Sequence, residues 1–302
     1  MSHRPSTMGR VCGICGGPLV RELLAIIEPD RFERHLGIEQ AGYRRSWMEC
    51  GGCGAATNIY PDGVLERLET LAAGYYEVDF KRTAIREKYD MVMALPLDKS
   101  DNAQRVERVR SFLNAWHHPL SCHNARVALD IGAGTGVFLS GFLREMVTHG
   151  QAWSAVAVEP DAIAAAHLRS LGQFDVKEGA FTEGLGMRDF DLCTLNKVLE
   201  HLAEPLVLLR AVVTALHPEQ GVLYVEVPAK ETAIYRSPCD NILGALHRHL
   251  YDMGSMNRVL CQAGLVVMEM VRLFEPSGKI TIAAFAARPE AAALRSRSGH
   301  RD

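Results

Sequence analysis

The spacing of apolar and polar positions varies along the chain, and it follows a regular pattern from residue 125. Short apolar blocks alternate there with stretches whose apolar residues recur every three or four positions. The blocks predict β-strands, and the recurring stretches predict amphipathic helices. Strands are predicted at 127–131, 154–158, 175–177, 192–195, 222–227, 265–272 and 280–286. Helices are predicted between them at 136–148, 161–171, 181–185, 205–216 and 253–263.

This alternation predicts an α/β domain whose seven-stranded sheet is mostly parallel and covered by helices on both faces. Only the segment LFEPSGK separates the last two strands, which is too short for a crossover. Those strands should therefore pair as a hairpin, so the sheet should contain one antiparallel strand.

The remaining chain follows other patterns. Residues around Val64 and Leu68 have helical spacing, and the polar run 98–102 suits the start of a further helix. The last residues, RPEAAALRSRSGHRD, are polar and basic and are predicted to be disordered. The expected organisation is a cysteine-containing module at 1–60, a helical connector at 61–120, the α/β domain at 121–288 and a disordered tail at 289–302.

Composition narrows the class of protein. The 302 residues are 48% apolar and 23% charged, which is typical of a globular protein. Lys and Arg number 33 against 36 Asp and Glu, so there is no basic excess of the kind that nucleic-acid binding requires. The polar start MSHRPSTMGR predicts no leader peptide, and no apolar run approaches the length of a membrane span. A cytoplasmic protein with no membrane partner is expected, and its thiols should be reduced.

Four of the eight cysteines form two CxxC pairs near the N-terminus. Cys12 and Cys15 lie in CGICGG, and Cys50 and Cys53 lie in CGGCG. Four thiolates complete the tetrahedral shell of Zn²⁺, which predicts a structural zinc ribbon. The long segment between the pairs must then form a hairpin or an insert. A redox-active CxxC is the alternative.

The stretch VALDIGAGTGVFL contains a glycine turn at the end of the first strand of the domain. Asp130 is followed by Gly132, Ala133, Gly134 and Gly136, and Val137 stands where a dinucleotide fingerprint needs its third glycine. The pyrophosphate spacing is therefore absent, and so is the GK[ST] ending of a P-loop. The turn therefore matches neither of these two phosphate-binding motifs.

This GxGxG turn resembles motif I of the class I S-adenosylmethionine-dependent methyltransferases, which have a Rossmann-like fold. The resemblance implies that Glu159, at the end of the next strand, accepts the ribose hydroxyls. Ala180 stands where family members often carry an acid for adenine, so either the backbone near Ala180 and Phe181 or the side chain of Glu178 would hold the base. Asn196, in FDLCTLNKVLEHL, would lie near the methionine moiety.

A narrower resemblance is to zinc-ribbon methyltransferases of bacterial sugar, surface-polysaccharide and natural-product gene clusters. The segments DKSDNAQRV, NKVLEH and EPSGK are similar to motifs of that group. It implies a small-molecule acceptor, such as a sugar, a nucleotide-linked sugar or a related metabolite. The segment YRSPCDNILGALHRHLYDMG departs from the acid-rich E-H-x-H of the group, so the acceptor contacts are left open.

Candidate catalytic residues lie at the same edge of the sheet. His201 follows the fourth strand, and His249 precedes the last helix together with His247 and Tyr251. His201 or His249 is the candidate general base, since a histidine titrates near neutral pH. Tyr251 is a candidate for contact with the acceptor.

Two lysines complete the list of candidates. Lys279, in the EPSGK turn, is a second candidate for contact with the acceptor and would hold an acidic group. Lys197 stands where similar catechol O-methyltransferases of the ubiquinone pathway carry the first acid of a metal site. This replacement favours a reaction without a catalytic metal.

Two alternative functions remain at this stage. Some rRNA guanine methyltransferases also place a four-cysteine module before this fold, so an RNA base is an alternative acceptor, although the near-neutral charge disfavours it. A non-catalytic protein that binds S-adenosylmethionine is the other. The sequence makes no prediction of oligomeric state.

Overall fold

The computed structural model describes residues 11–69, 84–116 and 126–298, which form two sheets. The strands are β1 (Leu19–Ile26), β2 (Arg45–Cys50), β3 (Ala56–Ile59), β4 (Arg126–Ile131), β5 (Trp153–Glu159), β6 (Asp175–Glu178), β7 (Leu192–Asn196), β8 (Val222–Pro228), β9 (His249–Leu250), β10 (Val266–Phe274) and β11 (Ile280–Ala287). The helices are α1 (Arg31–His35), α2 (Val64–Glu69), α3 (Ile85–Met93), α4 (Asp101–Trp116), α5 (Val137–Thr148), α6 (Ala162–Leu171), α7 (Pro205–Ala215), α8 (Thr232–Tyr235), α9 (Met253–Gln262) and α10 (Pro289–Ser298).

The large sheet confirms the predicted α/β fold. Its strand order is β10-β11-β8-β7-β4-β5-β6. All pairs are parallel except those of β11, which runs antiparallel to both β10 and β8. Each predicted strand of this sheet is present, and its ends lie within two residues of the predicted ones.

Helices cover both faces of the large sheet, as its apolar strands require. On one face, Val212 of α7 and Val259 of α9 pack with Leu195 in one core cluster. On the other face, Val109 of α4 and Phe142 of α5 belong to a second cluster. Every residue of β8 and β11 is buried, which explains why these strands read as continuous apolar runs.

The small sheet is antiparallel and has the order β1-β2-β3-β9. Its first three strands come from the N-terminal module, and its fourth, β9, comes from the segment before α9. Ala56 and Thr57 of β3 pair with Leu250 and His249. The small sheet is therefore completed by residues nearly two hundred positions away in the chain.

The prediction of a disordered tail is wrong for residues 289–298, which form α10. Ala291 is fully buried and belongs to the same core cluster as Val109. The guanidinium of Arg295 lies 5.2 Å from the centre of the Trp116 ring. Alanine-rich sequence favours a helix once it has a surface to pack on, and the sheet supplies that surface.

None of the helices described is both long and apolar enough to cross a membrane.

Candidate functional site

The glycine turn links β4 to α5 at the carboxyl edge of the large sheet. Gly132, Gly134 and Gly136 all have left-handed backbone, with φ of +70°, +56° and +76°. A Cβ at Gly132 would lie 2.8 Å from Cγ2 of Val198, and one at Gly136 would lie 2.6 Å from Cδ2 of Leu168. The turn thus needs glycine both for its backbone conformation and for close packing.

Glu159 ends β5 beside this turn, and backbone donors hold its carboxylate. One oxygen accepts a hydrogen bond from the Gly134 N–H at 2.7 Å, and the other accepts from the Asp161 N–H at 2.9 Å. Burial raises the pKa of this carboxyl group, and the two N–H donors oppose that rise. The structure brings Glu159 and the glycine turn together, as the sequence predicted.

Asp130, at the end of β4, is 1% exposed and lies directly before the turn. Its Oδ1 accepts from Thr194 Oγ1 at 2.6 Å and from Asn196 Nδ2 at 3.1 Å. Burial raises the pKa of Asp130 to about 7, and the two donors only partly oppose it. This carboxyl group is suited to a cationic ligand, which would favour its ionised form.

The loop after β6 places Ala180 and Phe181 near Glu159. Gly179, with φ of +124°, donates its N–H to the Glu159 carbonyl at 2.9 Å. Ala180 is exposed and Phe181 is buried. Since Ala180 has no polar side chain, only backbone groups of this residue could form hydrogen bonds with a nucleobase.

A buried network of charges lies under the same edge, and sequence reasoning missed it. Glu226, at the end of β8, receives two hydrogen bonds of 2.8 Å from Arg105 of α4. Lys197 Nζ lies 3.2 Å from Glu226 and 3.7 Å from Glu275. Burial would raise the pKa of Glu226, but the Arg105 and Lys197 charges hold it well below its usual range. The signals of this network in the sequence were the motifs DKSDNAQRV, NKVLEH and EPSGK, which contain Arg105, Lys197 and Glu275.

Lys197 also departs from ordinary backbone geometry. It has a φ of +60°, which is uncommon outside glycine and asparagine. This conformation turns the chain between Asn196, which contacts Asp130, and the one-turn helix Leu199–His201.

His201 faces His247, which comes from the segment before β9. Their ring centres are 4.5 Å apart and the rings are nearly perpendicular. Nδ1 of His201 donates to the Leu246 carbonyl at 3.0 Å, and Nδ1 of His247 donates to the Ile242 carbonyl at 2.7 Å. Burial lowers the pKa of His201 to about 4, which keeps the ring neutral. Beside them, burial raises the pKa of Glu200 to about 8.

His249 and Tyr251 have side-chain partners other than this histidine pair. His249 is 2% exposed within β9, and its Nδ1 lies 3.4 Å from Thr57 Oγ1 of the N-terminal module. Tyr251 is fully buried and donates its hydroxyl to the Leu199 carbonyl at 3.4 Å. Both side chains pack inside the protein, on the module side of the segment.

Lys279 contacts the connector. Its Nζ lies 3.4 Å from Oδ2 of Asp101, the first residue of α4. Ser277 donates to the same carboxylate from its N–H and from its hydroxyl, at 3.0 and 2.6 Å. The EPSGK turn is thus attached to the start of α4.

The four cysteines of the N-terminal module form one cluster. The Sγ atoms of Cys12 and Cys53 are 3.7 Å apart, and those of Cys15 and Cys50 are 3.4 Å apart. A Zn–S distance of about 2.3 Å places the sulfurs of a tetrahedral site about 3.8 Å apart. Backbone N–H groups also point at the sulfurs, including Gly52 N–H to Cys50 Sγ at 3.3 Å. The spacing and these donors fit a tetrathiolate metal site.

Comparison with protein families identifies the domain. The model of a methyltransferase domain family matches residues 103–270, more than half of the chain. The chain belongs to this methyltransferase domain family. No curated protein matches it significantly in sequence.

Solved structures confirm the fold. The 1,6-didemethyltoxoflavin-N1-methyltransferase of Burkholderia thailandensis, with bound 1,6-didemethyltoxoflavin and S-adenosylhomocysteine, superposes with a TM-score of 0.54 at 16% identity. The match covers 78% of this chain and 94% of that one. Magnesium protoporphyrin IX methyltransferase of Synechocystis PCC 6803, with bound S-adenosylhomocysteine, superposes with a TM-score of 0.52 at 11% identity. This match covers 73% of this chain and 99% of that one. At these identities the likeness shows a common methyltransferase fold.

Proposed function

We propose that this protein transfers a methyl group from S-adenosylmethionine to a small-molecule acceptor. The observation that carries the proposal is the Glu159 carboxylate, held 2.7 Å from the Gly134 N–H beside a left-handed glycine turn. A fixed carboxylate at that point is suited to a ribose diol, and the turn has no phosphate spacing.

The methyl donor supplies an activated methyl group on a sulfonium, and this chain's residues bind and orient it. Glu159 would accept the ribose hydroxyls. Asp130 and Asn196 would hold the cationic methionine end, since Asp130 is a buried acid without an ion pair of its own among the described residues. Gly132, Ala133, Gly134 and Gly136 would let the donor approach the backbone, and the loop at Ala180 and Phe181 would contact adenine.

The acceptor side is formed by the segment 241–251 and the one-turn helix Leu199–His201. His201 is our candidate for contact with the acceptor, because it is half-buried whereas His249 and Tyr251 are enclosed. An acceptor such as a sugar or a nucleotide-linked sugar fits the resemblance to enzymes of sugar and natural-product clusters. The Burkholderia enzyme of the same fold also holds a small molecule.

The cysteine cluster is proposed to bind one structural Zn²⁺. Its four sulfurs would complete the coordination of the ion, which leaves no position for a reacting group. The ion would hold together the loops that carry Cys12–Cys15 and Cys50–Cys53, next to the segment that forms the acceptor side.

Calorimetry with S-adenosylhomocysteine tests the donor site. The wild type should bind it, and Glu159→Gln should weaken binding by about 10- to 100-fold, because a charge-assisted acceptor is lost. Glu290→Gln is the matched control, since Glu290 is exposed and pairs with Arg288 at the surface. Absence of binding to the zinc-loaded wild type would refute the proposal.

Transfer of a labelled methyl group separates an enzyme from a non-catalytic binding protein. Labelled donor is incubated with the protein and either the small-molecule fraction of a lysate or purified RNA. Label should enter small molecules. Label in RNA alone would replace our proposal with the RNA alternative, and no label in either would support a binding protein.

A further inference from the structure

A second cluster of metal-ligating side chains lies outside the cysteine site. Glu200 and His201 come from the one-turn helix after β7, and His247 comes from the segment before β9. One ligand atom from each of the three lies within 4.8 Å of the others. The cluster therefore forms only when two distant parts of the chain meet.

Within the part of the chain that the structure describes, no hydrogen-bond donor compensates the buried Glu200 carboxylate. Its side chain is 0% exposed, and among the described residues neither carboxylate oxygen has a hydrogen-bond donor. A buried carboxylate is costly unless something compensates its charge. Its oxygens instead lie beside the two histidine rings, so a cation between the three side chains would compensate it.

Hydrogen bonds orient both rings for coordination. Nδ1 of His201 and Nδ1 of His247 each contact a backbone carbonyl, which can only accept. Each Nδ1 must therefore carry the proton, and the lone pair of each ring lies on Nε2. A carbonyl that fixes the tautomer of a histidine in this way is the usual support of a metal ligand.

The geometry points to a divalent transition-metal site formed by Glu200 Oε and the Nε2 atoms of His201 and His247. Two imidazoles and one carboxylate suit ions such as Zn²⁺ and Co²⁺, and three protein ligands leave a position open. This site differs from the cysteine cluster, whose four thiolates would complete the coordination of their ion. The sequence predicted a reaction without a catalytic metal, because Lys197 replaces the first acid of a metal site. In the proposed site His247 provides the third ligand in place of that acid.

The location of this metal site next to the glycine turn suggests which ligand would occupy its open coordination position. Val198, two residues before Glu200, packs against Gly132 of the glycine turn. His201 and His247 are only half-buried, which leaves a route for a ligand. A hydroxyl or carboxylate oxygen of the acceptor would complete the coordination. That last step rests on the proposed function, whereas metal binding itself does not.

Metal titration of the zinc-loaded full chain tests the site. The protein is first loaded with one equivalent of Zn²⁺, then titrated with Co²⁺ by calorimetry and visible absorption. The wild type should bind one further equivalent without the thiolate-to-cobalt absorption that marks the cysteine site. Glu200→Gln, His201→Gln and His247→Gln should each weaken this second equivalent by about 100-fold. His149→Gln is the matched control, because His149 lies on the surface beside Glu145.

The outcomes separate this inference from the proposed function. S-adenosylhomocysteine binding is measured on the same samples and should persist in His247→Gln. Zinc-loaded wild type that takes up no further metal, or that takes it up equally in all three variants, overturns the metal site even if S-adenosylhomocysteine binds. Circular dichroism confirms that each variant is folded, and Glu200→Gln removes no hydrogen bond seen among the described residues.

Discussion

At the scale of single residues, Asp130 shows how burial and function oppose each other. Its carboxyl group is enclosed at the end of β4, where it accepts from two neutral donors and forms no ion pair with any residue that the structure describes. Burial raises its pKa to about 7, well above that of an aspartate in an unfolded chain. The folded protein without ligand therefore keeps a proton that the unfolded chain has already lost at neutral pH.

This difference predicts a pH-dependent gain of stability in Asp130→Asn. A raised folded-state pKa means that wild-type stability falls as pH rises from about 4 to about 7. The variant lacks this loss, so it should be more stable than wild type at pH 8, by at most about 4 kcal/mol. The difference should nearly vanish at pH 4. Urea unfolding of both proteins across this range measures it, and a difference independent of pH would contradict the assigned pKa.

At the scale of elements, the glycine turn depends on both backbone and packing. Gly132 and Gly172 have similar left-handed φ angles, +70° and +64°, but their surroundings differ. A Cβ at Gly132 meets Val198, whereas a Cβ at Gly172 has nothing within 4 Å. Comparing alanine substitutions at these two glycines therefore separates the free-energy cost of the left-handed backbone from the cost of steric overlap with a neighbouring side chain.

Gly172→Ala should therefore destabilise the protein by about 1 kcal/mol, from backbone conformation alone. Gly132→Ala should cost about 2–4 kcal/mol, because the side chain of Val198 must also move. Chemical denaturation gives both values. Adding Val198→Ala to Gly132→Ala should recover part of the loss, and equal losses in the two single variants would show that packing is unimportant there.

Helix α4 is joined to the sheet by the ion pair of Arg105 and Glu226. Arg105→Met would leave the buried Glu226 carboxylate with its main partner removed, so we expect a loss of about 3–5 kcal/mol. The double variant Arg105→Met/Glu226→Met should be more stable than Arg105→Met. Arg44→Ala is the control, because its pair with Glu22 is exposed and should contribute less than about 1 kcal/mol. A loss in Arg105→Met no larger than in this control would mean that the pair contributes little.

At the scale of the whole molecule, the N-terminal module is hydrogen-bonded to the segment 241–251, which we propose as part of the acceptor side. Asp30 accepts from the Ala245 N–H at 2.6 Å, Arg45 donates to the Leu243 carbonyl at 2.8 Å, and Asn58 donates to the His247 carbonyl at 2.8 Å. Together with the pairing of β3 and β9, these bonds make the module part of the candidate site.

Cys50→Ser should consequently disturb more than its own loop. We expect loss of zinc and faster hydrogen exchange in residues 11–60 and also in residues 243–251, while β4 and β5 stay protected. Cys261→Ser, at an exposed cysteine, is the control. Metal analysis and hydrogen-exchange mass spectrometry check the result. Unchanged protection of residues 243–251 would show that the module does not support that segment.

Local patterns in the sequence determined the strands of the large sheet and the positions of the glycine turn, Glu159 and the cysteine cluster. Apolar periodicity located all seven strands of the large sheet. The signal was strongest for β8 and β11, because strands buried on both faces must be apolar throughout. Spacing located the glycine turn and the two CxxC pairs because their residues are close together in the sequence. It located Glu159 because this residue ends the strand next to the one that precedes the turn. The tail was misread, since its alanines form a helix only on the surface that the sheet provides.

Only the tertiary structure decided which distant side chains meet. The network of Arg105, Lys197 and Glu226 joins a helix to two strand ends, and none of these residues reveals its partner by spacing. His247 and His249 are only two residues apart, yet His247 packs against His201 whereas His249 contacts Thr57 of the module. The sequence determined the fold and the donor turn because those depend on short-range order. The proposed acceptor side depends on long-range contacts, which only the folded chain establishes.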